Sequence, residues 1–556
     1  MLDRLFSSLR GYRLEYLPRD LIAGLMLAAI AIPGQLATAR LAGMPPQTGL
    51  FAFAAGALAF AVFGANRYMS VAADSTIAPI FAGGLASIAV AGSATYSEYA
   101  ALLALLVGLV LVAVGLLRAG WLATLLSVPV TTGFLAGISI HIIVGELPTL
   151  LGVSNETGHL LVRLVHVLGR FGEANPYTIA LGAGVLIATL GAARISSRIP
   201  GALIGLVGAG LAVAVFHLKD KGVSLLGPMP APTPHFTLPS VPGMDDLSRL
   251  VQLALVVAMV CIMQTAAVAG AFPSDDDEPD DVSRDFAGVG AGSILAGLMG
   301  AFAVDASPPS TAIVRESGGR SQIASLTALA LMIALAVLAA GLMAYVPHAA
   351  LAGILVYVAM RIFRVDEMIE IYRRGGFEIL LVAAACGLVV ALPIETGMLL
   401  AIVLSFVHSL YIVARPYCVE LARVPGSTVW WPPGLSTEGE HEPGVLVFAP
   451  EAPLNFTNAE HISAKIRSAV ALSRTPVKLL VIEANGMIDI DYTGSQIIRR
   501  TIAELEARNI VVTMARLSNE RAQAQAHRTG LIEAIGPERV YLSVEEAVRK
   551  AGPRAD

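Results

Sequence analysis

The sequence predicts a polytopic α-helical membrane domain followed by a small cytosolic α/β domain, and three observations carry that prediction. Of 556 residues, 56% are hydrophobic and only 14% charged, with a mean hydropathy of +0.72. That is too little charge to clothe a soluble protein of this size. Fourteen apolar segments can be drawn, seven on each side of a Pro- and Gly-rich break at 218–246. After about residue 415 the long apolar runs stop, and short apolar strands alternate with amphipathic helices.

The first set of segments lies at roughly 21–39, 48–64, 71–91, 98–117, 126–147, 176–193 and 200–217. The second lies at about 247–271, 286–303, 308–318, 321–345, 349–362, 375–393 and 396–414. Several fall short of the ~20 apolar residues that span a bilayer. The third and tenth are short or interrupted and occupy corresponding places in the two sets. This pattern suits an inverted repeat, about 17–217 and 247–414, with a binding site where the repeats meet.

Lys and Arg in short loops set the orientation. Arg4, Arg10, Arg13 and Arg19 precede segment one, Arg118 follows segment four, and Arg194 and Arg198 follow segment six. Arg361, Arg364, Arg373 and Arg374 surround the connection between segments twelve and thirteen. With fourteen spans all lie on the side of both termini, so that side is expected to be cytoplasmic, in a cell inner (plasma) membrane. The charged, amphipathic start "MLDRLFSSLRGYRLEYLPRD" is not the apolar stretch of a signal peptide.

The net charge of -5 points to no partner class, and no nucleic-acid partner is expected. Cys261, Cys386 and Cys418 have no paired spacing, so neither a metal site nor a disulfide framework is predicted. The acidic run 274–281 lacks the spacing of a calcium loop and reads as a solvated loop. No nucleophile–base constellation appears, so an enzyme is not expected, and no cofactor is predicted.

A linker at 416–443 leads into "GVLVFAP" (444–450), "VKLLVIEA" (477–484) and "NIVVTMA" (509–515), which read as buried strands. Helical stretches at 457–473, 494–508 and 519–535 stand between and after them. Strands alternating with helices imply a βαβ sheet in a domain covering 444–556.

Several stretches then resemble one family. They are "LPRDLIAGL" (17–25), "LAGMPPQTGL" (41–50), "FGANRYMSV" (63–71), "PVTTGFLAGISIHIIVGELPTLLG" (129–152) and "SRDFAGVGAGSILAGLMGAF" (283–302). Together they resemble the sulfate permease (SulP) family, and "MIDIDYTGSQII" (487–498) resembles the Asp–x–Ser/Thr–Gly signature of its STAS domain. The resemblance runs in order over essentially the whole chain. It implies seven plus seven inverted repeats divided into a core and a gate domain, residues 1–415 as the transport domain, and a homodimer. It also implies a small inorganic or organic anion held between the N-termini of half-helices three and ten.

The residues support such a site. A half-helix ending at membrane depth turns free N–H groups and the positive end of its dipole into the pocket. In "VDASPPSTAIVRESGGR" (304–320), Ser307 can cap a helix whose first position is Pro308, where a missing N–H costs nothing. Pro309, Ser310 and Thr311 follow in the first turn, where the family usually has Ser–Arg–Thr. The arginine is therefore absent. In "SVAADSTIAPIF" (70–81), Asp74, Ser75 and Thr76 are expected in the first turn of half-helix three, after Ala73. Asp74 either complements the helix end or carries a coupling proton. Asp305 has the same ambiguity, with the structural role favoured.

In segment one, Pro33 and Gly34 are expected to unwind or kink the helix. Gln35 is placed either in the pocket or in an ordinary inter-helix hydrogen bond. Gln264 stands near where family members often carry a carboxylate linked to coupling. A coupling proton would then use Asp74, with Glu146 and His141 behind it, although His141 suits a satisfied buried hydrogen bond. In the STAS-like domain, Asp491 and Thr493 are expected to cap a helix, the alternative being modification of Thr493 by a regulatory partner.

The leading expectation is a secondary active transporter of small anions (sulfate, bicarbonate or dicarboxylate), proton-coupled and elevator-like. The alternatives are an uncoupled exchanger or channel, a carrier of a neutral or cationic solute, and a membrane-anchored scaffold.

Overall fold

The computed structural model describes residues 6, 12–119, 127–154, 160–196, 199–227, 236, 238–240, 242–274, 281–338, 344–374, 376–434 and 439–552. Most of the acidic run 274–281, the middle of the break at 218–246, residues 339–343 of segment 321–345, and Arg4, Arg10 and Arg198 lie outside them. The chain divides into two compact units, Met1–Ser405 and Phe406–Asp556.

The first half of the membrane unit contains α1 (Leu17–Leu41), α2 (Pro46–Phe63), α3 (Ala78–Ala86), α4 (Ala94–Leu116), α5 (Val128–Leu151), α6 (Leu160–Gly169), α7 (Pro176–Ile195) and α8 (Gly201–Phe216). The second half contains α9 (Met244–Ala271), α10 (Val282–Leu298), α11 (Pro308–Glu316), α12 (Ile323–Leu338), α13 (His348–Ile362), α14 (Val365–Arg374), α15 (Glu378–Ala391) and the start of α16 (Ile394–Ala414), which runs on past Ser405. Every one of the fourteen predicted segments contains a helix. Among the described residues eight are long and apolar enough to cross a membrane: α1, α2, α4, α5, α7, α9, α13 continued by α14, and α16. The additional helices α6 and α14 are short, and α14 carries charges at Asp366, Glu367, Glu370, Arg373 and Arg374. At ten residues each they are too short to stand out as apolar spans in the sequence.

Local chemistry fixes several helix ends. Ser93 accepts from the Tyr96 N–H at the start of α4, and Asn175 accepts from Tyr177 and Thr178 at the start of α7. Gly152, with φ 72°, ends α5 in the left-handed conformation that glycine adopts without strain. Of the two outcomes expected at Pro33 and Gly34, unwinding does not occur: α1 runs unbroken through both. Pro33 removes a single N–H from the ladder, and tight packing of the buried residues on either side holds the helix together.

Two bundles make up the unit. α10 packs on α4 and α2, α1 packs on α12 and α2, and α9 lies against α4. In the other bundle α5 packs on α15 and α13, and α7 on α8 and α13. They meet where α1 lies along α8 and α13. The α4–α10 crossing is close because Gly108 and Gly290 face each other: a Cβ on Gly108 would stand 2.6 Å from the Gly290 carbonyl oxygen. Without a hydrophobic drive between helices in lipid, such small-residue contacts carry the association.

Buried polar groups fasten the connections. Asp285 Oδ1 accepts from the N–H groups of Ala65 and Asn66, at 2.8 and 2.9 Å. Gln322 Nε2 donates to the carbonyls of Asn66 and Met69. Asp20 accepts from the Arg320 N–H and from both the N–H and the hydroxyl of Ser321, at the entry to α12. These bonds hold 64–70 where it leads into β1 (Val71–Ala72), which pairs antiparallel with β2 (Asp305–Ala306).

The C-terminal unit has a six-stranded sheet of β3 (Cys418–Arg423), β4 (Trp430–Trp431), β5 (Val445–Pro450), β6 (Leu479–Glu483), β7 (Val511–Ala515) and β8 (Val540–Tyr541), in the order β4-β3-β5-β6-β7-β8. β5 to β8 are parallel and β3 is antiparallel to β5. Its helices are α17 (Ala459–Leu472), α18 (Tyr492–Glu506), α19 (Glu520–Arg528), α20 (Leu531–Ile535) and α21 (Val544–Ala551). Two separate apolar clusters form its cores. The sheet is wider than the sequence suggests, since residues expected as linker supply β3 and β4. The predicted helix at 519–535 is two helices, divided by Gly530 at φ 76°.

Candidate functional site

The site is organised by the two-residue ladder. Val71 pairs with Ala306 and Ala72 with Asp305, and the Ser307 N–H donates to the Ser70 carbonyl at 2.9 Å. Gly56 of α2 lets β1 approach, because a Cβ there would stand 2.4 Å from the Val71 carbonyl oxygen. Each strand leads into a nine-residue half-helix, β1 into α3 and β2 into α11. The ladder therefore brings both helix N-termini to one place.

A web of hydrogen bonds surrounds them. The Gln35 side chain pairs with the Ala73 backbone like a strand partner: Nε2 donates to the carbonyl at 3.0 Å, and Oε1 accepts from the N–H at 3.1 Å. One turn on, the Thr38 and Ser75 hydroxyls bond at 2.9 Å. Asp74 Oδ1 accepts from the Thr76 N–H at 2.8 Å and stands 2.6 Å from the Thr76 hydroxyl. That hydroxyl also lies 2.9 Å from Gln264 Oε1, while Gln264 Nε2 donates to the Ala306 carbonyl at 3.0 Å. Ala73 to Thr76, Gln35 and Gln264 thus form one connected unit across α1, α9 and both strands.

The Thr76 hydroxyl has a single proton. Gln264 is oriented by its bond to Ala306, so it presents an acceptor to Thr76. Asp74 is the second acceptor. Both contacts are made in full when Asp74 carries a proton and donates it to Thr76 Oγ1, leaving the Thr76 proton for Gln264.

The half-helices differ. β2 is followed by Ser307 alone before α11, whereas residues 73–77 intervene before α3. Asp74, Ser75 and Thr76 are therefore not in the first turn of α3, as the sequence suggested, but in a turn preceding it. Asp74 binds Thr76 two residues on in preference to a helix end, as Asp side chains in turns do. At the other end Ser307 is the N-cap, Pro308 is N1 and Pro309 is N2. The Ser307 side chain caps no N–H: Pro309 has none to offer at N2, and instead of accepting from the Ser310 N–H at N3 the hydroxyl donates to the Ser310 hydroxyl at 3.1 Å. Thr311 donates its N–H and hydroxyl to the Ser307 carbonyl. The two prolines leave the Ser310 N–H as the one backbone donor in the first three positions of α11.

Two carboxylates stand here without a site arginine. Asp74 is 8% exposed and Asp305 is fully buried. Asp305 accepts from the Ala306 N–H at 2.7 Å, has Cys261 and Thr265 of α9 as side-chain neighbours, and lies close enough to Asp74 to interact electrostatically. Ser75, Thr76, Ser307, Ser310 and Thr311 add five hydroxyls, each able to donate or accept.

Glu146 is elsewhere. It faces Arg40, 3.5 Å away, and not the half-helices, because its place on α5 matches the end of α1 rather than the level of Gln35. His141 Nε2 bonds the Val389 carbonyl at 2.8 Å. Thr38 and Arg40 escaped the sequence reading. Thr38 was signalled only by lying three residues after Gln35, on the same helix face. In the C-terminal unit Asp491 caps α18, accepting from the N–H groups of Gly494 and Phe456, and Thr493 is exposed in the first turn.

These features define a multi-pass helical membrane protein in which two half-helix N-termini meet at a largely buried cluster of hydroxyls and carboxyls, with a C-terminal α/β domain. The sulfate permease family profile matches residues 17–385, and the STAS domain profile matches 437–547. The chain is 32% identical over 540 residues to the probable sulfate transporter MT1781 of Mycobacterium tuberculosis, covering 97% of this chain and 96% of that one. It is 24% identical over 563 residues to the chloroplastic sulfate transporter 4.1 of Arabidopsis thaliana, covering 98% and 82%. Its fold is similar to that of the murine Solute Carrier 26 family member A9 anion transporter, with a TM-score of 0.85 at 17% identity over 98% of this chain and 92% of that one. The membrane domain of the cyanobacterial bicarbonate transporter BicA gives 0.61 at 22% identity, covering 71% and 97%. The chain belongs to the sulfate permease family, whose members are transporters.

Proposed function

We propose that this protein is a secondary active transporter of small anions of the sulfate, bicarbonate or dicarboxylate class, coupled to protons through Asp74. Family membership supports anion transport. The observation that carries the coupling is the proton count at Thr76, which is complete when Asp74 is protonated. An anion approaching the α3 and α11 N-termini meets hydroxyls, the Ser310 N–H and two helix dipoles. A proton on Asp74 lowers the repulsion the anion would otherwise feel, so anion and proton favour each other's binding. Alternating access follows if the bundle holding the half-helices moves against the one holding α5, α7 and α13. The chain acts as a homodimer, with both termini cytoplasmic and the STAS domain open to a regulatory partner.

The test is uptake into proteoliposomes from a panel of labelled anions, with pH and sodium gradients varied. An inward proton gradient should drive concentrative uptake, and Asp74→Asn should abolish that drive while leaving anion exchange. Drive that survives Asp74→Asn removes Asp74 as the coupling group. Failure to take up any anion overturns the transport reading. A second reading, a neutral or cationic solute, is favoured by Asp74 and Asp305 without an arginine, and uptake of such a solute in the same vesicles would select it.

A further inference from the structure

Arg40 stands in the last turn of α1, outside the half-helix pocket. Its Nη1 donates to the His348 carbonyl at 2.7 Å, its Nη2 donates to the Thr149 hydroxyl at 2.6 Å, and Nη2 lies 3.5 Å from Glu146 Oε2. All three partners belong to the opposite bundle, Glu146 and Thr149 on α5 and His348 at the start of α13. The His348 acceptor is held firmly. Its N–H donates to the Ser224 carbonyl, the Leu226 N–H donates to the Val346 carbonyl, and Leu225 bridges Pro347. Thr149 lies next to Pro148, just before the Gly152 stop of α5.

The position along α1 matters. Gln35 and Thr38 mark the pocket through their bonds to Ala73 and Ser75. Arg40 is two residues beyond Thr38 and five beyond Gln35, about 3–8 Å along the axis at ~1.5 Å per residue. It therefore lies just past the pocket, toward the membrane face opposite the one where α1 begins. There the guanidinium spans the seam between bundles with its side chain 21% exposed, and the Glu146 side chain is 8% exposed. A planar fork of donors that hydrogen-bonds two acceptors on the opposite bundle and faces a carboxylate there resists sliding. Another polar contact across the seam, Thr131 hydroxyl to Met263 sulfur at 3.4 Å, is weak by comparison.

We propose that Arg40 is a latch that closes the pocket mouth on the face opposite the N-terminus, with Glu146 as its counter-charge rather than a coupling group. Opening to that face requires the guanidinium to leave His348, Thr149 and Glu146. Arg40 acts by positioning one bundle against the other, without touching substrate. The inference rests on the alternating-access reading, and the experiment below uses no substrate, so the failure of either is distinguishable.

The test is thiol accessibility of the full chain in membrane vesicles of both orientations. Ser75→Cys serves as the reporter, with Cys386 and Cys418 replaced by serine and buried Cys261 retained. A membrane-impermeant methanethiosulfonate is the probe. With Arg40 intact, the reporter should be protected from the face opposite the N-terminus. Arg40→Gln should raise its labelling rate from that face about tenfold, the change that about 1.4 kcal/mol produces, and lower it from the other face. Thr149→Val should act in the same direction by a smaller factor. The exchange Arg40→Glu with Glu146→Arg should restore most of the protection. Unchanged labelling in a folded Arg40→Gln protein overturns the proposal. So does an equal rise from both faces, which would report general loosening, or a charge exchange that behaves like Arg40→Gln. If Arg40→Gln fails to fold, Thr149→Val and the exchange decide alone: protection unaltered in Thr149→Val and absent in the exchange overturns it.

Discussion

Replacing Gln35 by leucine separates its two roles, fastening Ala73 or contacting substrate. The side chain makes two buried hydrogen bonds with one backbone unit. Leucine would leave the Ala73 N–H and carbonyl without those partners, at about 1–3 kcal/mol each. Burial of the added apolar surface returns about 1.5–3 kcal/mol. The net loss is therefore about 2 kcal/mol, which at about 2 °C per kcal/mol for a large domain is a fall of ~4 °C in Tm. Gln35→Asn, shorter by one methylene, cannot reach both atoms and should fall similarly. Intrinsic-fluorescence unfolding of the purified protein, with and without a transported anion, reads both quantities. The anion should still stabilise both variants, less strongly because residues 73–76 are held less well. A leucine variant that melts within about 1 °C of the parent but loses more than tenfold in anion affinity would refute the fastening role, and Gln35 would then be a substrate ligand.

Other outcomes follow from the same geometry. Ser310→Arg places a guanidinium at the α11 end and should raise affinity for a divalent anion about 10-fold or more, as expected for a charge-assisted hydrogen bond of about 1.5–3 kcal/mol; competition against labelled monovalent anion measures it. Asp491→Ala in a fragment of residues 416–552 should lose about 1–2 kcal/mol of stability in urea, because the cap of α18 and the bond to Phe456 go together. Burial raises the Glu483 carboxyl above its ordinary value, and Arg516 at 3.4 Å offsets that only in part. The folded fragment thus holds this proton more tightly than the unfolded chain. Its contribution is fully present below the ordinary glutamate pKa and is lost as pH rises through the raised value. Stability of Glu483→Gln should lack that decline, and urea titrations at a series of pH values check it.

The sequence carried the architecture because lipid and water impose strong, local demands. Apolar length, a Pro- and Gly-rich midpoint and clustered arginines mark spans and halves, and β-periodic runs mark the sheet. What escaped was set by contacts between distant residues. β3 is recognisable only through its pairing with β5, and β4 through its pairing with β3, since short strands inside a Pro-rich stretch have no period of their own. Glu146 reads from sequence as a carboxylate at membrane depth, a coupling candidate, and nothing local says that Arg40, 106 positions earlier in the chain, stands opposite it. The half-helix pocket shows the same division. Ser307-Pro308-Pro309 announces a helix start, and the helix starts there. The sequence of residues 73–77 does not announce that α3 begins late, because Asp74, Ser75 and Thr76 suit a turn and a first helical turn equally well. Their tie to Gln264, and through it to Ala306 on the other strand, decides between the two. That tie also gives the late start a chemical consequence. By holding the Thr76 hydroxyl between Asp74 Oδ1 and Gln264 Oε1, it joins the carboxyl to the other strand through Ala306, which a place in the first turn of α3 would not require.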